Sequence, residues 1–278
     1  MNRLTAAKRV AVVRCLVEGT SIRATVRITG VAKNTVTKLL VDLGAACSEH
    51  QDRALRNLRC QHVEADEIWS FCNAKARNVP DEHRGDREWG DVWTWVAIDA
   101  DTKLVPSWAI GDRSASMAME LTDDLAKRLA SRIQLTTDGH HAYWDAVDGT
   151  WATNVDYAQL VKIYGADPSD DQKRYSPAKC LGADVRILSG SPDPENICTS
   201  HIERQNLTMR MSMRRFTRLT NAFSRKVENL AAAVSLHVMY YNFARPHQGL
   251  PYPRTPAMAA GVSDHVWKIE EIVALLGR

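Results

Sequence analysis

From Leu4 to Val17 apolar residues recur at three- and four-residue intervals, the spacing that gives a helix one buried stripe. Glu18-Gly19-Thr20 reads as a stop followed by a fresh cap, Ser21 to Ile28 as a second short helix, and Gly30 as a turn. A third helix is expected over Ala32 to Leu43, ended by Gly44. Val31, Val36 and Leu39 then face inward, and Lys33, Asn34, Thr35, Thr37 and Lys38 are left on the exposed side. The pattern predicts a small all-α helix-turn-helix domain over residues 1–45. Its alternative is a three-helix bundle with no nucleic-acid role. Residues 46–60 are polar and mixed, and are expected to form a linker.

Beyond residue 60 the period changes from helix to strand. Strands are expected over Val63 to Phe71, Val92 to Asp99, Leu104 to Ile110, Ile133 to Thr137 and Val155 to Ile163, with a helix from Ser114 to about Leu129. The fourth strand runs directly into Asp138-Gly139. Residues 165–195 are rich in Pro, Gly, Asp and Ser and read mostly as loop. From Thr199 to Phe243 the pattern is helical, with a break near Phe216 to Thr220. The prediction is an α/β domain over 61–250, a mixed sheet flanked by helices, and a tail over 251–278 with a short helix.

Composition refines this picture through charge. The net charge of +3 hides a strong asymmetry: residues 1–60 carry eleven Lys and Arg against four Asp and Glu, and residues 199–226 carry seven against one. The 138 residues between them are acidic, at −10. Two basic segments flank an acidic one, as in a chain that holds phosphate backbone at its margins and cations at its centre. Surface charge alone is the plainer reading of each block.

The six cysteines lie far apart, with no pair at the two-residue gap of zinc or redox motifs. They read as thiols of a reducing cytoplasm. Basic residues interrupt the N-terminal apolar stretch, and the best apolar run, Ala231 to Met239, is too short to span a bilayer. A cytoplasmic protein with no membrane contact is expected.

Three acidic residues stand where a sheet-based site would place them: Asp66 within the first strand, Asp138 at the end of the fourth, and Glu203 in the first turns of a long helix. Crowded carboxylates repel one another unless a cation lies between them, and oxygen ligands favour Mg2+ or Mn2+. Two such ions, about 4 Å apart, can activate a water or a 3′-hydroxyl against a phosphodiester. Within the first strand Glu64 and Glu67 compete with Asp66. Glu64 shares a face with Asp66, and Glu67 points to the other. Arg204, Arg210, Arg214 and Arg215 surround Glu203 in sequence and suit a helix that grips phosphates, or a solvated basic face. His140 and His141 are candidate metal or DNA contacts, though more naturally structural. Trp89, Trp93, Trp95 and Trp108 read as core, with base stacking as the alternative.

Ala65-Asp66-Glu67-Ile68-Trp69-Ser70-Phe71, Thr136-Thr137-Asp138-Gly139-His140-His141-Ala142-Tyr143 and His201-Ile202-Glu203-Arg204-Gln205-Asn206-Leu207 resemble the three signature blocks of DDE insertion-sequence transposases. The similarity is greatest to the insertion-sequence-one group. The segment Tyr241 to Gln248, followed by Thr255-Pro256-Ala257-Met258, resembles the end of many such enzymes. The resemblance implies a ribonuclease H-like catalytic domain that cuts and joins DNA. It places Asp66 at the first acidic position, bridging two Mg2+ or Mn2+ ions, with Asp138 holding one and Glu203 the other. It also implies double-stranded DNA partners, transposon ends and target, and a homo-oligomer of at least two copies. Two features depart from the group: no cysteine-rich zinc motif lies near the N-terminus, and the interval from Asp138 to Glu203, 65 residues, is long. Other readings are a non-catalytic DNA-binding regulator derived from such an enzyme, or a structure-selective nuclease of the same fold.

Overall fold

A computed structural model describes residues 4–165, 180–217 and 221–277. Helix α1 (Ala6–Val17) is capped by Thr5, whose hydroxyl accepts from the Lys8 amide at 3.3 Å, and α2 (Ile22–Thr29) by Ser21, which accepts from Ala24 at 3.2 Å. Gly19 sits between them at φ 73°, and a Cβ there would lie 2.7 Å from the Ser212 carbonyl oxygen. Only glycine gives both the left-handed turn and that close approach.

Helix α3 (Lys33–Ala54) corrects the sequence expectation. Gly44 does not end it, and most of the stretch expected as linker, 46–60, is helical up to Ala54. The reason is tertiary. A Cβ at Gly44 would lie 2.5 Å from the Cα of Ala232 on α7 (Val227–Met239), so this glycine is where two helices touch backbone to backbone. Ser235 on α7 donates to the Gly44 carbonyl at 2.7 Å, and Gln51 donates back to the Ser235 carbonyl at 3.2 Å. Leu43 and Cys47 are buried at the same face.

The sheet has six strands: β1 (His62–Cys72), β2 (Gly90–Asp99), β3 (Ser107–Gly111), β4 (Gln134–Thr137), β5 (Asp156–Tyr164) and β6 (Cys180–Ser189), in the order β3-β2-β1-β4-β5-β6. β1, β2 and β3 form an antiparallel meander, β4 and β5 run parallel to β1, and β6 returns antiparallel along the edge. β6 is a second correction. Its exposed, mixed sequence carries no burial pattern, and its pairing with β5 is what makes it a strand. Of the stretch expected as loop, residues 166–179 lie outside the described residues, as do 218–220 of the expected helix break.

Alternation along β1 and β2 divides the core in two. Val63, Ala65, Trp95 and Ala97 face a cluster built with α4 (Ala115–Arg128) and α5 (Ala142–Trp151), the latter not expected from the sequence. Ile68, Cys72, Val96 and Ile98 face the other, built with α6 (Ser200–Ser212) and α7. After α7 the chain makes a π-helical turn, Tyr240–Ala244, then two short helices, α8 (Pro256–Ala259) and α9 (Ile269–Ala274), where one was expected. α9 packs on α1, with Arg14 paired to Glu270 at 2.8 Å. Among the described residues no helix is long and apolar enough to cross a membrane.

Candidate active site

The register of two parallel strands sets the site. Ala65 on β1 pairs with Thr137 on β4, so the residues that follow, Asp66 and Asp138, emerge side by side. Oxygens of Asp66, Asp138 and Glu67 lie within 4.8 Å of one another. As alternation requires, Asp66 is on the α6 face and Glu67 on the α4–α5 face, yet Glu67 rather than Glu64 joins the cluster. Asp138 stands just past the end of β4, where both carboxylates reach it.

Each carboxylate is fixed separately. Asp66 Oδ1 accepts from the Glu67 amide at 2.7 Å and Oδ2 from Asn206 Nδ2 at 2.8 Å. Asp138 Oδ1 accepts from the His140 amide at 2.9 Å. Glu67 is buried and accepts from Arg113 Nε at 2.6 Å and from the Tyr143 hydroxyl at 3.4 Å, while the Arg113 guanidinium lies over the Trp93 ring. Burial, then the charge of Asp138, pushes Asp66 up to about 6 despite its two hydrogen bonds. Burial and the two neighbouring carboxylates push Glu67 up to about 7, against the opposing pull of Arg113.

Glu203 lies on the exposed side of α6, one turn before Asn206, near enough that its charge adds to the upward push on Asp66. Its carboxylate accepts from the Thr199 hydroxyl at 2.8 Å and pairs with Lys162 of β5. Lys162, Asn206 and Arg113 were not among the residues singled out by sequence. Asn206 carried a usable signal, three residues after Glu203 and so on the same side of a helix. Lys162 and Arg113 carried none, since only the sheet brings them to the carboxylates.

No family model matches this chain, and no curated protein does.

The second feature is a cleft of about 1260 Å3 between the N-terminal helices and the segment after α6. Lys33, Asn34, Thr37 and Lys38 line one side, and Arg214, Arg215 and Arg225 the other. The two basic segments of the sequence therefore face each other. Thr35 is exposed outside the lining, and Lys38 is paired with Asp42 at 2.7 Å. Arg215 is partly buried, hydrogen-bonded to Ser224, and its pKa is lowered by desolvation. Arg204 is exposed on α6 and Arg210 half-buried there; neither lines the cleft. His140 caps α5, with Nδ1 accepting from the Ala142 amide at 3.1 Å, and burial lowers its pKa. Of the four tryptophans, Trp95 is fully buried and donates to the Asp112 carbonyl at 2.9 Å.

Proposed function

We propose that this chain is a DDE-type DNA transposase with a ribonuclease H-like catalytic domain, and that it cleaves and joins DNA strands using Asp66, Asp138 and Glu203. One observation carries the reading: the parallel register of β1 and β4 sets Asp66 beside Asp138, and α6 lies across them with Asn206 bonded to Asp66 and Glu203 one turn away. An antiparallel meander followed by two strands parallel to the first is the layout that such a domain calls for, and it supports the same reading.

The donor set fits a hard divalent cation. It is oxygen-only, and Asp66 and Glu67 are held above their ordinary pKa first by burial and then by the charge of Asp138, a crowding of negative charge that a cation at Asp66 and Asp138 would relieve. Asn206 Oδ1 adds a buried acceptor with no hydrogen-bond partner among the described residues beside Asp66. Asp66, Asp138 and Glu203 would hold Mg2+ or Mn2+. Such ions, when bound, would supply Lewis acidity to activate a water or 3′-hydroxyl and to stabilise the leaving oxygen. The protein's own residues do the positioning: Asn206 fixes the Asp66 carboxylate, and Arg113 and Tyr143 restrain Glu67. Lys162 balances the charge of Glu203.

The cleft supports a DNA partner. Lys and Arg on both walls suit phosphates, while Asn34 on the first turns of α3 has the amide needed to read adenine in a major groove. This is the helix-turn-helix reading of residues 1–45. Bringing two transposon ends and a target together calls for at least two copies of the chain.

The test is a supercoiled plasmid carrying the DNA that flanks the coding sequence. Purified protein with Mg2+ is expected to nick it at defined positions and to join the freed 3′ ends to a second DNA, with both products lost in EDTA. Nicking at random without joining would favour a nuclease, and specific binding with neither product a regulator.

A further inference from the structure

The N-cap residue of α6 does not cap it. Thr199, at the N-cap, makes no side-chain hydrogen bond to the helix amides. That role is filled from the sheet: Glu64 Oε2 accepts from the Ile202 amide at 2.9 Å, and Glu64 Oε1 meets His201 Nδ1 at 2.6 Å. Glu64 is only 2% exposed, and a carboxylate buried to that degree is costly unless its lone pairs are taken up. Here a helix amide, an imidazole and the positive end of the α6 dipole satisfy it.

The placement has a second consequence. Glu64 and Asp66 are two residues apart on one face of β1, roughly 6.6 Å along a strand. Their partners, Ile202 and Asn206, are four residues apart on α6, roughly 6 Å along a helix. The two spacings match, so α6 is tied to β1 at two points of equal pitch, with Glu203 between them. One tie would let the helix pivot about the sheet; two fix its direction and height.

We propose that Glu64 and His201 are a positioning pair, which sets Glu203 and Asn206 against Asp66. The inference rests on the reading of Asp66 and Glu203 as cation ligands. Glu64 thus has a task distinct from that of Asp66, with which it competed in the sequence. Cys198 also lies within 4.8 Å of the pair. Its sulfur is engaged locally, accepting from the Ser200 amide at 3.3 Å and facing the Ser200 hydroxyl at 2.9 Å, so the thiol takes no part in either tie.

The experiment measures Mn2+ affinity by electron paramagnetic resonance on the full-length protein without DNA, together with single-turnover nicking and melting temperature. His201→Ala removes the Nδ1 donor and is expected to weaken Mn2+ binding and slow nicking by about tenfold each, the scale seen when groups behind a metal ligand are lost. His201→Asn places an amide N–H near the Nδ1 position and is expected to restore both to within about twofold of the wild type, which loss of helix packing alone would not predict. Cys198→Ser is expected to change neither. If His201→Ala binds Mn2+ like the wild type while Asp66→Asn does not, the positioning pair is wrong and the cation reading stands. If Asp66→Asn also binds Mn2+ like the wild type, the cation reading fails and the pair with it. If Cys198→Ser weakens Mn2+ as much as His201→Ala, the three side chains act as a cation site of their own and the positioning role is overturned.

Discussion

Asn206 on α6 donates a 2.8 Å hydrogen bond to Asp66 on β1, joining side chains 140 residues apart in sequence. This bond orients the carboxylate that stands beside Asp138, and it brings the first turns of α6, with Glu203, onto the sheet. Asn206→Ala should therefore slow strand cleavage by about tenfold while leaving DNA affinity unchanged, since it disturbs a carboxylate held behind the reacting atoms. Single-turnover nicking and fluorescence anisotropy on the same DNA check the two halves. Equal loss of both would point to a general folding defect.

Stability without metal should depend on pH in a defined direction. Asp66 rises from 3.8 to about 6 and Glu67 from 4.5 to about 7 on folding, so the folded state holds these protons more tightly than the unfolded state. Their ionisation costs stability, which is lost as pH climbs from about 4 through 7 and is regained below. Differential scanning fluorimetry in EDTA should give a steeper fall in Tm between pH 5.5 and pH 8 for the wild type than for an Asp66→Asn, Glu67→Gln double variant. Mg2+ should remove most of that difference. Parallel slopes would mean that the two groups are not strained by burial.

Lys162 places a positive charge on Glu203. Replacing it with Met removes a cation that competes for the same carboxylate, and Mn2+ affinity should rise severalfold. Isothermal titration calorimetry on the variant decides this; weaker binding would show that Lys162 holds Glu203 in its binding orientation instead.

Lys33 and Lys38 line the basic cleft. Lys33→Ala should weaken binding to every DNA sequence and reduce the slope of log affinity against log salt by about one. Lys38→Ala should do less, because its partner Asp42 already shares its charge. Asn34→Ala should instead narrow the preference for the element's own ends over unrelated DNA. Anisotropy titrations at three salt concentrations separate these effects. An unchanged slope in both Lys variants would remove the N-terminal helices from the DNA interface.

What could be read from the sequence follows from which forces act locally. The early helices were legible because Thr5, Ser21 and Gly30 cap and end them through their own side chains or backbone freedom, although the cap of α2 is Ser21 and not Thr20. β1 and β2 were legible because their apolar residues face two buried layers. Asp66, Asp138 and Glu203 were found through short motifs, but the approach of Asp66 to Asp138 depends on the β1–β4 register, which no local pattern states, and Glu203 stays outside that cluster, paired with Lys162. Gly44 was misread because a glycine that ends a helix and one that admits a neighbouring helix look alike until Ala232 is in place. β6 and α5 were missed for a similar reason. β6 is exposed along its length and owes its form to β5, and α5 follows Asp138 closely in a segment read for its chemistry. Glu67, on the opposite face of the strand, was placed behind Asp66 by the family resemblance, but Asp138 at the strand end brings it into the cluster all the same.

The most direct test of the account compares Asp66→Asn with Glu67→Gln in the same Mg2+ nicking and joining assay. Both substitutions are nearly isosteric, and each removes one repelling charge. Both metal-free proteins should therefore melt at or slightly above the wild-type temperature, by about 2–6 °C if one or two kcal/mol of repulsion is relieved. Asp66→Asn is predicted to lose cleavage and joining together while still binding DNA, and Glu67→Gln to keep measurable activity, because both Glu67 oxygens are already engaged by Arg113 and Tyr143. Near-normal cleavage by Asp66→Asn would contradict the central claim, and its loss in Glu67→Gln alone would move the first acidic position by one residue.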